Sequence, residues 1–184
     1  MPCMKGGNRS LANSKIKRNG LKAGTPAPDF RLPCLDGHGE LTLSELLGKR
    51  VLLVFSSPHC SPCETLAPEL EKFHQEHPEL EVVMISKGEP KENRAKVKEH
   101  GLTFPILLQQ QWEISRLYAM FATPIAYFIE EAGIIASDVA VGTEAILELM
   151  VQAERLSAIS DFNLPGCQFL SLPHNRERIP FSTR

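Results

Sequence analysis

Two cysteines separated by two residues, Cys60-Ser61-Pro62-Cys63, carry the chemistry of this 184-residue chain. They follow the apolar run Val51-Leu52-Leu53-Val54-Phe55 and open a helical pattern through Leu66, Leu70 and Phe73. A cysteine at the start of a helix meets unpaired N–H groups and the positive end of the helix dipole. Both favour the thiolate, so the pKa of Cys60 is expected to fall. Cys63 lies one turn on, along the same face and within disulfide reach. Such a pair can exchange electrons with other disulfides. Two plainer readings compete. A CxxC is also half of a zinc site, which needs a second Cys/His pair. Cys3, Cys34 and Cys167 are scattered, however, and the six histidines form no HxxxH cluster. An inert structural disulfide would staple only one helical turn. Neither a metal nor a cofactor is expected.

The elements that must position this pair alternate along the chain. Phe30-Arg31-Leu32 and Glu40-Leu41-Thr42-Leu43 flank Asp36-Gly37-His38-Gly39, which predicts a hairpin. Ser44 then caps a short helix over 45–47, ended by Gly48. A buried strand is expected over 50–56 and a helix from Cys60 to about His77. A second buried strand spans 80–86, and a helix over 91–100 stops at Gly101. A third apolar run spans 104–108 and a helical segment 112–120. Runs at 125–129 and 134–140 surround Glu131-Ala132-Gly133 as an antiparallel hairpin, and an amphipathic helix over 143–158 closes the pattern. The fold class is α/β, a mixed central sheet flanked by helices. Residues 1–24 read as a disordered basic arm, 25–158 as the domain, and 159–184 as an irregular tail.

Bulk properties narrow the partners. The chain is 42 % hydrophobic and 23 % charged with a net charge of -2, so neither nucleic acid nor an anionic membrane is expected as its partner. No apolar run reaches the length of a membrane span, and residues 1–24 contain no apolar core of a signal peptide. As written, the default compartment is the cytoplasm. Five cysteines, an odd number, argue against a fully paired secreted framework.

Cys60-Ser61-Pro62-Cys63-Glu64-Thr65-Leu66-Ala67-Pro68 resembles the active-site helix of the thioredoxin superfamily, down to the proline five residues after the second cysteine. A proline inside a helix removes a hydrogen bond, so chance seldom places one there. Gly24-Thr25-Pro26-Ala27-Pro28-Asp29-Phe30 is similar to the lead-in of TlpA- and peroxiredoxin-type redoxins. Ala122-Thr123-Pro124-Ile125 falls where the superfamily carries its cis-proline loop. On these residues, spanning about 24 to 150, the chain resembles the TlpA/ResA/MauD-like branch of thiol–disulfide oxidoreductases. The resemblance implies a thioredoxin-like fold with an N-terminal β-hairpin extension.

It also implies roles. Cys60 would be the exposed nucleophile and Cys63 the resolving thiol. Pro124, if cis, would hold its loop against the CxxC, and Thr123 would offer its backbone to an incoming chain. Glu89 matches a glutamate held near the CxxC and would accept the proton of Cys63. His59 and Pro62 join Thr123 and Pro124 as substrate-contacting residues. The implied partners are protein dithiols or disulfides and an upstream electron donor, with the chain acting as a monomer. Family practice implies a place outside the cytoplasm.

Some positions depart from the family pattern. Val54 stands where thioredoxin buries an aspartate, and His59 replaces the tryptophan before the first cysteine. A protonated His59 would favour the thiolate and a more oxidising disulfide, whereas Ser61-Pro62 sits nearer the pattern of reductases. Ile125 replaces a common threonine. Cys34 reads as a small residue at a strand end, His74 and His77 as a solvated face, and Trp112 as core. A peroxiredoxin-type peroxidase is disfavoured because Leu53 and Ser56 occupy the positions where its proline would stand. A redox-silent binding module or metallochaperone is the rival from another class.

Overall fold

A computed structural model describes residues 19–161. Two short strands, β1 (Arg31–Pro33) and β2 (Glu40–Thr42), pair antiparallel with Leu32 opposite Leu41. A 3-10 turn, Leu43–Leu46, follows. Thr42 rather than Ser44 begins it: the Glu45 carboxylate accepts from the Thr42 N–H (3.0 Å), and the Ser44 N–H goes to Asp29 Oδ1 (3.0 Å). Next come β3 (Arg50–Ser56), α1 (Ser61–Glu76), β4 (Leu80–Lys87), α2 (Pro90–His100), β5 (Ile106–Gln109) and α3 (Glu113–Leu117). The last elements are β6 (Ile125–Ile129), β7 (Ala140–Val141) and α4 (Thr143–Asp161).

One sheet runs β5-β4-β3-β6-β7, parallel across β3, β4 and β5 and antiparallel at β6 and β7. It is the mixed, helix-flanked sheet with an N-terminal hairpin that the sequence predicts. The apolar run of β3 sits at its centre because both faces are covered. Leu52 and Val54 pack with Leu66 and Leu70 of α1 and Ile146 and Leu149 of α4. Val51, Leu53 and Phe55 face the other way, toward Phe30, Ile114 and Tyr118. The N-terminal hairpin docks on the sheet edge, where Cys34 bridges Leu107 and the Leu35 N–H donates to the Ile106 carbonyl (2.8 Å).

Three expectations shift. The run at 134–140 pairs with β6 only at Ile135, opposite Ile129, and at Ala140–Val141, while Ile134 bridges Pro26. Between them Asp138 stays at the surface and binds Lys22 Nζ (2.7 Å) and the Ala23 N–H (3.1 Å). The boundary at residue 24 therefore moves as well. Gly20 N–H donates to the Ala119 carbonyl (3.1 Å), Leu21 N–H to Tyr127 Oη (3.1 Å) and Gly24 N–H to the Ile135 carbonyl (2.8 Å). Gly20 has φ +70, and a Cβ there would come within 2.4 Å of Val139, so no larger residue fits. His74 and His77 are half-buried rather than solvated: His74 meets Phe104 edge-on, and His77 stacks on Phe73 and bridges Glu79 and Glu154. The readings placed on Cys3, on Cys167, on residues 1–18 and on the tail beyond residue 161 lie outside the described residues. Among the described residues, no helix is long and apolar enough to cross a membrane.

Candidate active site

β3 ends at Ser56, and the chain turns through Ser57-Pro58-His59 into α1. Cys60 is the N-cap residue of α1, with extended backbone. Its carbonyl accepts from the N–H groups of Cys63 (2.9 Å) and Glu64 (3.2 Å), and its Sγ also accepts from the Cys63 N–H (3.3 Å). The Cys63 N–H, at the helix start, is thus shared between the Cys60 carbonyl and the Cys60 sulfur. Pro62, in the first turn, brings no N–H that would need one. Cys60 and Cys63 form a disulfide with Cα atoms 5.1 Å apart. Cys60 is 8 % exposed and Cys63 only 2 %, so an incoming sulfur can reach the first more readily than the second.

The apolar stripe Leu66, Ala67, Leu70 and Phe73 fixes α1 against the sheet, and Pro68 lies within the helix. Its outer side is held by charge. Glu64, directly after Cys63, pairs with Lys96 (3.1 Å) and His100 (2.7 Å) of α2, and the Lys96 side chain is 5 % exposed. Burial pushes the Glu64 carboxyl up, but bonds from His100 and Lys96 and their charges hold it below the usual carboxylate range. Farther along α1, Glu71 accepts from the Thr103 N–H (2.8 Å) and hydroxyl (2.7 Å). Its burial is likewise outweighed, by the bonds from Thr103 and Gln75, and its pKa is also lowered. Sequence reading missed this clamp, although a signal was present: α2 carries a single large apolar residue, Val97, so it must bury polar ones, here Asn93 and Lys96. Glu64, Glu99 and His100 could together face a metal ion, but Glu64 is already occupied by Lys96 and His100.

The peptide bond Thr123-Pro124 is cis and leads into β6, with Pro124 buried and Thr123 half-buried. Two bonds tie this loop to the CxxC. Gly142 N–H donates to the Pro124 carbonyl (3.0 Å), and the next residue, Thr143, donates its hydroxyl to the Pro62 carbonyl (3.3 Å). Cys60, Pro62, Cys63, Thr123 and Pro124 therefore gather at the end of the sheet where the parallel strands finish. Ile125 is wholly buried and presents nothing to a substrate. His59 is exposed, and its Nε2 lies 3.2 Å from the Glu92 carboxylate of α2. Glu89 is exposed at the N-cap of α2, where its carbonyl accepts from the Asn93 N–H and Nδ2 (3.1 Å each) while its carboxylate makes no capping bond. Cys34 is a free, half-buried thiol whose pKa is raised by burial and by Asp36 and Glu40.

Residues 23–137 match the AhpC/TSA family. The chain is 36 % identical over 132 residues to the thioredoxin-like protein YneN of Bacillus subtilis, covering 69 % of this chain and 76 % of that one. It is 33 % identical over 125 residues to the thiol-disulfide oxidoreductase ResA of Geobacillus thermodenitrificans, covering 66 % and 71 %. The thioredoxin domain of a thiol-disulfide oxidoreductase from Bacteroides vulgatus superposes with a TM-score of 0.66 over 74 % of this chain and 98 % of that one, at 19 % identity, a likeness of fold. The helix-capping cysteine, the adjoining cis-proline loop and these similarities agree: the chain belongs to the AhpC/TSA family of redoxins, in its branch of thioredoxin-fold thiol–disulfide oxidoreductases.

Proposed function

We propose that the chain reduces disulfides in protein substrates, with Cys60 attacking and Cys63 resolving. The observation that carries this reading is the Cys60 sulfur itself, the more exposed of the pair and the acceptor of a helix-start N–H. In the reduced protein the Cys60 thiolate attacks one substrate sulfur, and the other leaves as a thiolate that takes up a proton. Cys63 then gives up its proton and attacks the Cys60 sulfur, closing the Cys60–Cys63 disulfide and expelling the second substrate thiol. Two electrons and two protons pass to the substrate, and a dithiol donor restores the pair.

Glu89 is proposed as the acceptor of the Cys63 proton, reached through water, because fully buried Val54 offers no acid from β3. Thr123 is proposed to pair its backbone with the substrate chain, with Pro124 and Pro62 lining the approach. His59 is proposed to stabilise the thiolate only when it is protonated and released from Glu92. The chain is proposed to work as a monomer, outside the cytoplasm, in keeping with TlpA-like redoxins.

The test is the equilibrium reduction potential of the Cys60–Cys63 pair, measured by thiol trapping in glutathione and dithiothreitol buffers. A value near roughly -270 mV supports a reductase, and one near about -120 mV makes the protein an oxidant instead. A pair that forms no reversible couple overturns the catalytic reading.

A further inference from the structure

The end of the sheet that carries the disulfide holds a second feature, one strand over. Lys87 closes β4 directly after Ser86, whose strand partner is Ser56 at the end of β3. The Lys87 ammonium lies 4.4 Å from the centroid of the Trp112 ring. Trp112 follows β5 closely and meets Phe121 edge-on, with centroids 6.0 Å apart. Phe121 stands two residues before Thr123. Both aromatic rings belong to half-buried residues, so part of their apolar surface is open to solvent. Among the described residues Lys87 has no carboxylate partner: Glu92 pairs with His59, and Glu89 forms no ion pair.

As an internal contact at the protein surface this cation–ring pair contributes little. As a surface for a polypeptide it is well provided. Rigid aromatic rings give contact area at low entropic cost, and an uncompensated cation gives direction. The carboxyl ends of parallel strands are also where open α/β sheets take their ligands.

We propose that Trp112, Phe121 and Lys87 form a docking shelf for the polypeptide on one side of the substrate cysteine, favouring an apolar residue and a carboxylate there. The proposal rests on Cys60 being the attacking thiol and on the substrate chain lying along Thr123. A chain held by the Thr123 backbone continues past Phe121 toward Trp112, where an apolar side chain covers the ring edges and an acidic one meets Lys87. A small disulfide has no chain to lay on the shelf, so its reaction is blind to these residues.

Two short peptides, each with one cysteine activated as a pyridyl disulfide, separate the possibilities. One carries Leu and Asp beside the cysteine, the other Ser and Lys. Attack of reduced Cys60 on the peptide sulfur expels pyridinethione, which is read by absorbance, and leaves a Cys60–peptide disulfide that Cys63 resolves. Wild type should react about five- to tenfold faster with the Leu/Asp peptide. Lys87→Glu should erase or invert that preference, and Trp112→Leu should bring the Leu/Asp peptide down to the rate of the other. Dipyridyl disulfide, the uncharged control, should react alike in all three proteins. Equal rates for the two peptides in wild type, or a preference that survives both variants, overturns the shelf. Loss of reaction with dipyridyl disulfide itself overturns the assignment of Cys60 instead. Trp112 is the only tryptophan of the chain, which gives a readout that needs no change on the shelf. In Cys63→Ser, trapping the Leu/Asp peptide on Cys60 should shift its emission beyond what the thiopyridyl adduct alone does, and an identical shift from both adducts counts against the shelf.

Discussion

At the scale of single residues the chemistry divides by access and by local field. Cys60 accepts a helix-start N–H and is the less buried sulfur; Cys63 is sealed at 2 % exposure. Cys60→Ser should cost on the order of a thousandfold or more in protein-disulfide reduction. Cys63→Ser should instead stall as a covalent adduct with its substrate, visible as a mass increase that dithiothreitol removes. Cys34, its thiol raised by burial and by Asp36 and Glu40, should tolerate change to Ala with turnover altered by less than about twofold, as for an inert thiol. The Cys60–Cys63 pair was legible in the sequence because its environment is local: a strand, a turn and a helix start written in consecutive residues. The Glu92 partner of His59 was not, since a histidine beside a cysteine says nothing of a carboxylate on another helix.

Among the elements, the seam between α1 and α2 is where charge replaces apolar packing. Glu64 and Glu71 both titrate lower in the folded chain than in the unfolded one. Their contribution to stability is therefore present above the ordinary carboxylate range, about pH 4, and drains away as pH falls through the lowered values. Glu71→Gln should lower stability at neutral pH by about 1–2 kcal/mol, with the difference from wild type shrinking toward acid pH, as read by denaturant unfolding across pH. Equal losses at neutral and acid pH would show instead that the carboxylate's charge is irrelevant. Strand and helix order was legible because apolar runs such as 51–55 and stripes such as Leu66–Leu70 carry the period of their element. The seam was not, because Lys96 and Asn93 look like solvent-facing residues until Glu64 and the Glu89 carbonyl are brought to them. The second strand of the last hairpin was over-read for a related reason: its alternating pattern is real, but Asp138 is engaged by Lys22 and Ala23, and the ladder breaks there.

In the molecule as a whole, the segment that precedes the first strand acts as a strap. Leu21 N–H reaches the Tyr127 hydroxyl, which donates to the Tyr118 carbonyl (2.8 Å), while the Tyr118 hydroxyl donates to the Pro28 carbonyl (3.0 Å). Burial holds both phenols above their ordinary pKa. Tyr127→Phe should cost about 1–2 kcal/mol and raise amide exchange at residues 20–24 while leaving the Cys60–Cys63 couple unchanged. Sequence alone could not show this strap, since partners 106 positions apart leave no local pattern. The docked N-terminal hairpin has a different consequence. By bridging Leu107 and bonding Ile106, it occupies part of the open side of β5, while the opposite edge, β7, is only two residues long. A protein that handles chains with unprotected backbone thus offers them few free ladders on which to stack. On the role proposed for Thr123, strand-like pairing with a visitor would fall beside the disulfide, to end in exchange and release rather than in aggregation.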